Sequence, residues 1–176
     1  MMAGITLRNG VLAVMVLGLA AGRVAYAGDV TARANMVGPG GASLGTVTLI
    51  QTPQGVLVAA DLQSLTPGAH GFHIHETGSC DPDFKAAGGH FNPHGASHGY
   101  GHEGQPHAGD MPNVYAHGDG TARADVLNAL VTLEEGAAGS LFDGDGSAVI
   151  VHAQGDSYGD EAGAGDRVAC GVVERQ

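Results

Sequence analysis

The chain has 176 residues, with 18 acidic against 7 basic side chains, a formal charge of −11, 31 glycines and no tryptophan. So acidic a surface repels phosphates and argues against nucleic acid as a partner. No long helical period runs through the sequence, which directs the reading toward short strands.

Residues 1–27 have the form of a secretory signal peptide: Arg8 without an acid in Met1–Asn9, an apolar run over Val11–Ala21, and the small-x-small triplet Ala25-Tyr26-Ala27. The apolar run is too short to span a bilayer comfortably, so cleavage and a periplasmic or secreted location are expected, with no membrane attachment afterwards. Residues 28–176 then form one domain, and loss of Arg8 and Arg23 takes its charge from −11 to −13.

Strands are predicted over 30–38 (VTARANMVG), 44–52 (LGTVTLIQT), 55–65 (GVLVAADLQSL), 71–76 (GFHIHE), 121–133 (TARADVLNALVTL), 147–153 (SAVIVHA) and 167–174 (RVACGVVE). Pro53-Gln54-Gly55 reads as a hairpin turn between the second and third. Many short strands joined by Gly-rich turns imply an all-β protein, an antiparallel β-barrel or sandwich. Between Cys80 and Asn113 the pattern gives way to Gly, His, Pro and Asp, and five of the ten histidines (His90, His94, His98, His102, His107) fall there. A loop of that length in a compact domain needs an ordering agent, and a bound metal ion would supply it. A second irregular stretch, residues 155–166, leads into the last strand.

Two cysteines, Cys80 and Cys170, are present. In an oxidising compartment such a pair most often forms a disulfide; thiolate metal ligands are the poorer reading, because no CxxC spacing exists and histidine is plentiful. His73 and His75, two apart on a strand, point to the same side, and His152 ends another apolar strand. The long loop supplies His90, His98, His107 and Asp110, three imidazoles and a carboxylate, enough for a closed tetrahedral zinc site. His73, His75, His152 and one shared imidazole would form an all-nitrogen set suited to Cu(II).

In this order the segments GFHIHE, GGHFNP, HAGDMPN and RVACGVV resemble the copper/zinc superoxide dismutases, over nearly all of residues 28–176. Cys80, five residues after His75, resembles the secreted bacterial branch. The resemblance implies a Greek-key barrel of about eight strands with long metal-binding and channel loops. It implies copper (Cu2+/Cu+) on His73, His75, His90 and His152, and Zn2+ on His90, His98, His107 and Asp110, with His90 bridging. It further implies Asp156 accepting hydrogen bonds from His73 and His98, a catalytic Arg167 beside copper, a Cys80–Cys170 disulfide, and the superoxide anion as substrate with no organic cofactor. The alternative is a copper or zinc storage or delivery protein without catalysis. Monomer and homodimer both stay open. Residues 156–167 carry no lysine, so steering of the anion is expected to be weak unless Lys85 lies at the entrance. His70 and His117 read as polar turn residues, and His94 and His102 as loop residues outside the ligand set.

Overall fold

The computed structural model describes Met1 and residues 31–176. The remainder of the expected signal segment lies outside the described residues. Eight strands follow one another: β1 (Thr31–Val37), β2 (Ser43–Thr52), β3 (Gly55–Leu62), β4 (Gly68–His75), β5 (Asp110–Ala116), β6 (Ala122–Asn128), β7 (Ala148–His152) and β8 (Arg167–Arg175). All pair antiparallel, in the order β5-β4-β7-β8-β1-β2-β3-β6. β5 and β6, at the two ends of that order, lie against each other, so the sheet curls into a near-closed barrel. The crossed connections that seat β7 between β4 and β8, and β6 beside β3, are those of a Greek key.

Alternation explains which residues fill the barrel. Ala32, Ala34 and Met36 of β1, Val47 and Leu49 of β2, and Val56, Val58 and Leu62 of β3 point inward and are buried, while their neighbours, apart from the buried Ile50, face solvent at least in part. Fully burying each large side chain, such as Phe72, Leu49 or Ile74, contributes roughly 1.5–3 kcal/mol. On β4 and β7 the alternation disappears, because both faces are buried. Phe72, Ile74, Val149 and Val151 join the barrel core. The opposite face, carrying His73, His75, Ala148, Ile150 and His152, lies beneath the two irregular loops, where Ala148, Ile150 and Cys170 pack with Ala87, Cys80 and Phe84.

The register sets the geometry of that outer face. His73 lies opposite Ile150 on β7 and Asp110 on β5, His152 lies opposite Arg167 on β8, and an isolated bridge joins His75 to His90. The long loop is stitched to β4 by backbone bonds, Ile74 N–H to Gly109 O at 2.9 Å and Phe91 N–H to Ile74 O at 2.9 Å. Gly109 comes so near Ile74 that a Cβ there would collide with the Ile74 carbonyl. Cys80 and Cys170 form a disulfide with Cα atoms 5.9 Å apart, fastening the start of the loop to β8.

Several expected boundaries change, and the strand predicted over 55–65 stops at Leu62. The long loop ends sooner than Asn113, because Asp110–Ala116 is β5, a strand the sequence pattern does not flag. Pro112 masks it: proline suits only an edge strand, and β5 stands at one end of the sheet with Pro112 exposed. Meanwhile the strand predicted over 121–133 stops at Asn128, beyond which Val131 and Leu133 enter the core from a loop. β4 also begins three residues before the predicted 71–76. The Pro53-Gln54 turn stands between Thr52 and Gly55, as its residues suggest.

Candidate metal centre

Four imidazoles on the outer face each direct one ring nitrogen at an acceptor. His73 Nε2 reaches Asp156 Oδ2 at 2.7 Å, His75 Nδ1 the Gly88 carbonyl at 3.0 Å, His152 Nδ1 the Gly165 carbonyl at 3.1 Å, and His90 Nδ1 reaches Asp110 Oδ1 at 2.7 Å. A neutral imidazole has a single N–H, so each ring that donates there carries a bare lone pair on its other nitrogen. His73 Nδ1, His75 Nε2 and His152 Nε2 are buried without a partner. One ligand atom from each of His73, His75, His90 and His152 lies within 4.8 Å of all the others. A buried polar atom left unsatisfied costs about 1–3 kcal/mol, and several acceptors converging without a donor are best satisfied together by a cation.

Electrostatics keep the rings of His73, His75 and His152 neutral. Burial holds His73 far below the usual imidazole range, and the neighbouring rings of His90, His152, His75 and His98 add to the effect. Burial likewise pushes His75 down to about 2, against the opposing bond to Gly88. His152 and His107 are also lowered by burial, only in part offset by Gly165 and Asp110 respectively. Neutral rings are the form that binds metal.

His90, His107 and Asp110 make a second cluster within 4.8 Å. Burial raises the Asp110 carboxyl, but hydrogen bonds from His90 and the Gly99 amide outweigh it and leave the group below its ordinary range. Its Oδ2 accepts from the Gly99 and His107 amides at 2.9 and 3.1 Å, so Oδ1 is turned toward the rings. His107 Nδ1, buried and without a hydrogen-bond partner, stands 3.5 Å from Oδ1. His90 lies between the two clusters, its ring 4.1 Å from that of His73 and 5.6 Å from that of His107.

His98 lies beside both Asp110 and Asp156. Its Nε2 is 3.6 Å from Asp110 Oδ1 but 3.0 Å from Asp156 Oδ2, and Nδ1 lies 2.7 Å from the Gly159 carbonyl. Ligand atoms of His98, His73 and Asp156 lie within 4.8 Å of one another, and the His98 ring stands 5.1 and 5.5 Å from those of His90 and His107. Asp156, buried, thus faces one ring of each set through a single oxygen.

Arg167 is half-buried, and its guanidinium donates to the carbonyls of Phe84 and Gly88, both at 2.6 Å. Gly88 O also serves His75, so one carbonyl sets both the cation and the ring. Burial lowers the Arg167 pKa and Asp83 works against that. A groove lined by Phe84, Lys85, Asp83, Asp166 and Arg167 opens beside it.

Of the remaining histidines, His70 is not a turn residue: it is buried, with Nδ1 2.7 Å from the His152 carbonyl and Nε2 2.7 Å from that of Thr66. His117 is exposed in a turn, and His94 and His102 belong to no metal-competent cluster among the described residues. Gly88, Gly165, Asn113 and Tyr158 are the positioning groups that residue type alone conceals. The Gly-Gly pair before His90 and the closing Asn of HAGDMPN are the signals they leave.

Fold and centre together define a β-barrel protein with two adjoining histidine-rich clusters able to hold metal ions. Residues 43–173 match the family model "Copper/zinc superoxide dismutase (SODC)". The chain is 44% identical over 169 residues to "Superoxide dismutase [Cu-Zn] 2" of Aquifex aeolicus, covering 94% of this chain and 97% of that one. With "Superoxide dismutase [Cu-Zn]" of Caulobacter vibrioides it shares 44% identity over 140 residues, 76% of this chain and 80% of the relative. Among solved structures, "Cu/Zn superoxide dismutase from Brucella abortus" superposes with a TM-score of 0.67 at 34% identity, covering 82% of this chain and 99% of that one. A SOD-like protein from Bacillus subtilis gives 0.75 at 35% identity, over 80% and 96%. The chain belongs to the copper/zinc superoxide dismutase family.

Proposed function

We propose that the protein converts two superoxide anions and two protons into O2 and H2O2, with copper held by His73, His75, His90 and His152 and zinc by His90, His98, His107 and Asp110. The observation that carries this reading is the set of buried, unpartnered imidazole nitrogens converging within 4.8 Å. When bound, copper would supply a one-electron couple between Cu(II) and Cu(I), and zinc a fixed positive charge that pins the loop.

His73, His75 and His152 present their lone pairs because Asp156, Gly88 and Gly165 hold their opposite nitrogens. His90 has Nδ1 on the Asp110 side, which leaves Nε2 for the other cluster. Placed between two cations, the His90 ring would give up its N–H proton readily, and Nε2 is the atom at which His90 would hold a proton for the peroxide product. Arg167, fixed by Phe84 and Gly88, attracts and orients the small anion. Residues 1–27 act as an export signal, and the Cys80–Cys170 disulfide fits the periplasmic or secreted location that follows.

The test is rapid mixing of superoxide with the protein loaded with copper and zinc. Catalytic consumption supports the reading; stoichiometric binding of both metals without consumption would replace it with storage or delivery. A copper visible spectrum that shifts when zinc is withdrawn would support the His90 bridge.

A further inference from the structure

Tyr158 is one of two described non-glycine residues with positive φ, at +61°, a conformation that costs a tyrosine free energy and persists only where its surroundings impose it. Four of its groups are engaged in that pose. Its amide donates to Asp156 Oδ1 at 2.6 Å, its carbonyl accepts from the Tyr100 and Gly101 amides at 2.9 and 3.1 Å, and its phenol oxygen accepts from the Asn113 amide at 2.8 Å. Its ring lies 5.5 Å from that of Tyr100, tilted by 42°.

We propose that Tyr158 is a positioning residue that couples the two metal-binding clusters by fixing the carboxylate of Asp156 and the turn that orients Asp110. This rests on the two-metal reading of the site. Asp156 has two oxygens, and only Oδ2 serves His73 and His98. Rotation of the carboxylate would carry that oxygen away from both rings; the Tyr158 amide on Oδ1 opposes it. The backbone of Asp156 and Ser157 brings this amide back onto the side chain two residues earlier, and the left-handed φ of Tyr158 sets the direction of the carbonyl that follows it.

The same residue reaches the other cluster through its carbonyl. That oxygen receives the Tyr100 and Gly101 amides, and it leaves no room for a Cβ at Gly99, whose φ is +86°. The Gly99 amide in turn fixes Asp110 Oδ2 at 2.9 Å. Asn113 closes the circuit: its side-chain amide bonds Asp156 N at 2.7 Å and Asp156 O at 3.0 Å, while its own amide holds the phenol. Strand β5, the metal-binding loop and the second loop are therefore locked at one tyrosine.

The experiment compares wild type, Tyr158→Phe and Tyr158→Asn, each loaded with zinc and cuprous copper, two closed-shell ions that permit NMR. The readout is solvent exchange of the His73 and His98 ring N–H protons that face Asp156. Tyr115→Phe, which removes an exposed phenol from β5, is the control. Both Tyr158 variants lose the Asn113–phenol bond that anchors the backbone of this turn, and are expected to exchange these protons on the order of tenfold faster, as loss of about one hydrogen bond implies, with the control unchanged. Asn tolerates the left-handed backbone, so Tyr158→Asn keeps the test alive if Tyr158→Phe does not fold. Wild-type exchange rates in a folded variant would overturn the proposal. An inactive wild type whose ring protons still respond to Tyr158→Phe would instead sink the catalytic reading alone.

Discussion

At the scale of single residues, the centre depends less on its histidines than on what holds their second nitrogens. Asp156 serves two of these rings at once, with one oxygen on His73 and His98 and the other on the Tyr158 amide. Replacing it by alanine frees two rings at once, one from each set. Asp156→Ala is expected to weaken both copper and zinc binding by about 10–100-fold in competition titrations, the usual effect of losing a partner that orients a ligand. Loss of affinity for one metal alone would show that Asp156 serves a single site. The ligand candidates were readable because His73-x-His75 on a strand and histidines crowded into a Gly-rich loop are patterns of residue type. Gly88 and Gly165 were not, since they act through carbonyls that every residue carries.

Among the elements, the loops are ordered by contacts that only certain backbones can make. Gly99, at φ +86° beneath the Tyr158 carbonyl, has neither the conformation nor the room for a side chain. Gly99→Ala is expected to destabilise the folded protein by about 2–4 kcal/mol, combining left-handed strain with a forced backbone shift, read as a lower urea midpoint. An unchanged midpoint would mean that the loop moves aside freely. Most of the barrel followed from period-2 alternation in β1 and β3. β5 did not, because Pro112 argues against a strand unless the edge position is already known. Nor did the sequence disclose that the outer face of β4 and β7 is buried, which depends on loops packing across it.

For the molecule as a whole, charge and burial set how it responds to pH and salt. His73 and His75 are held neutral when folded but would take up protons near pH 6.5 when unfolded. The unfolded chain therefore binds more protons below that pH, so the metal-free protein keeps its full stability above about pH 6.5 and loses it as pH falls. At about 1.4 kcal/mol per pH unit for each ring, the two together imply a loss on the order of 3–4 kcal/mol between pH 6.5 and 5. A urea midpoint that stays flat over that range would refute the burial argument. Steering is the other consequence. Lys85, the single lysine of the chain, is exposed on the groove that holds Arg167, but Asp81, Asp83 and Asp166 line it as well. With acids outnumbering cations there, the second-order rate constant is expected to fall only about twofold or less between 10 and 200 mM salt, and a steep decline would contradict this. The central claim, that the converging imidazoles of β4, β7 and the long loop hold a catalytic copper, is tested most directly by superoxide consumption. Wild type and His75→Ala, both loaded with copper and zinc and with the disulfide intact, should be compared at neutral pH. Rapid dismutation by wild type, lost by more than about a hundredfold in the variant together with its copper, is the result the account predicts. A fully metallated wild type that consumes no superoxide, or a variant that matches it, would contradict the account.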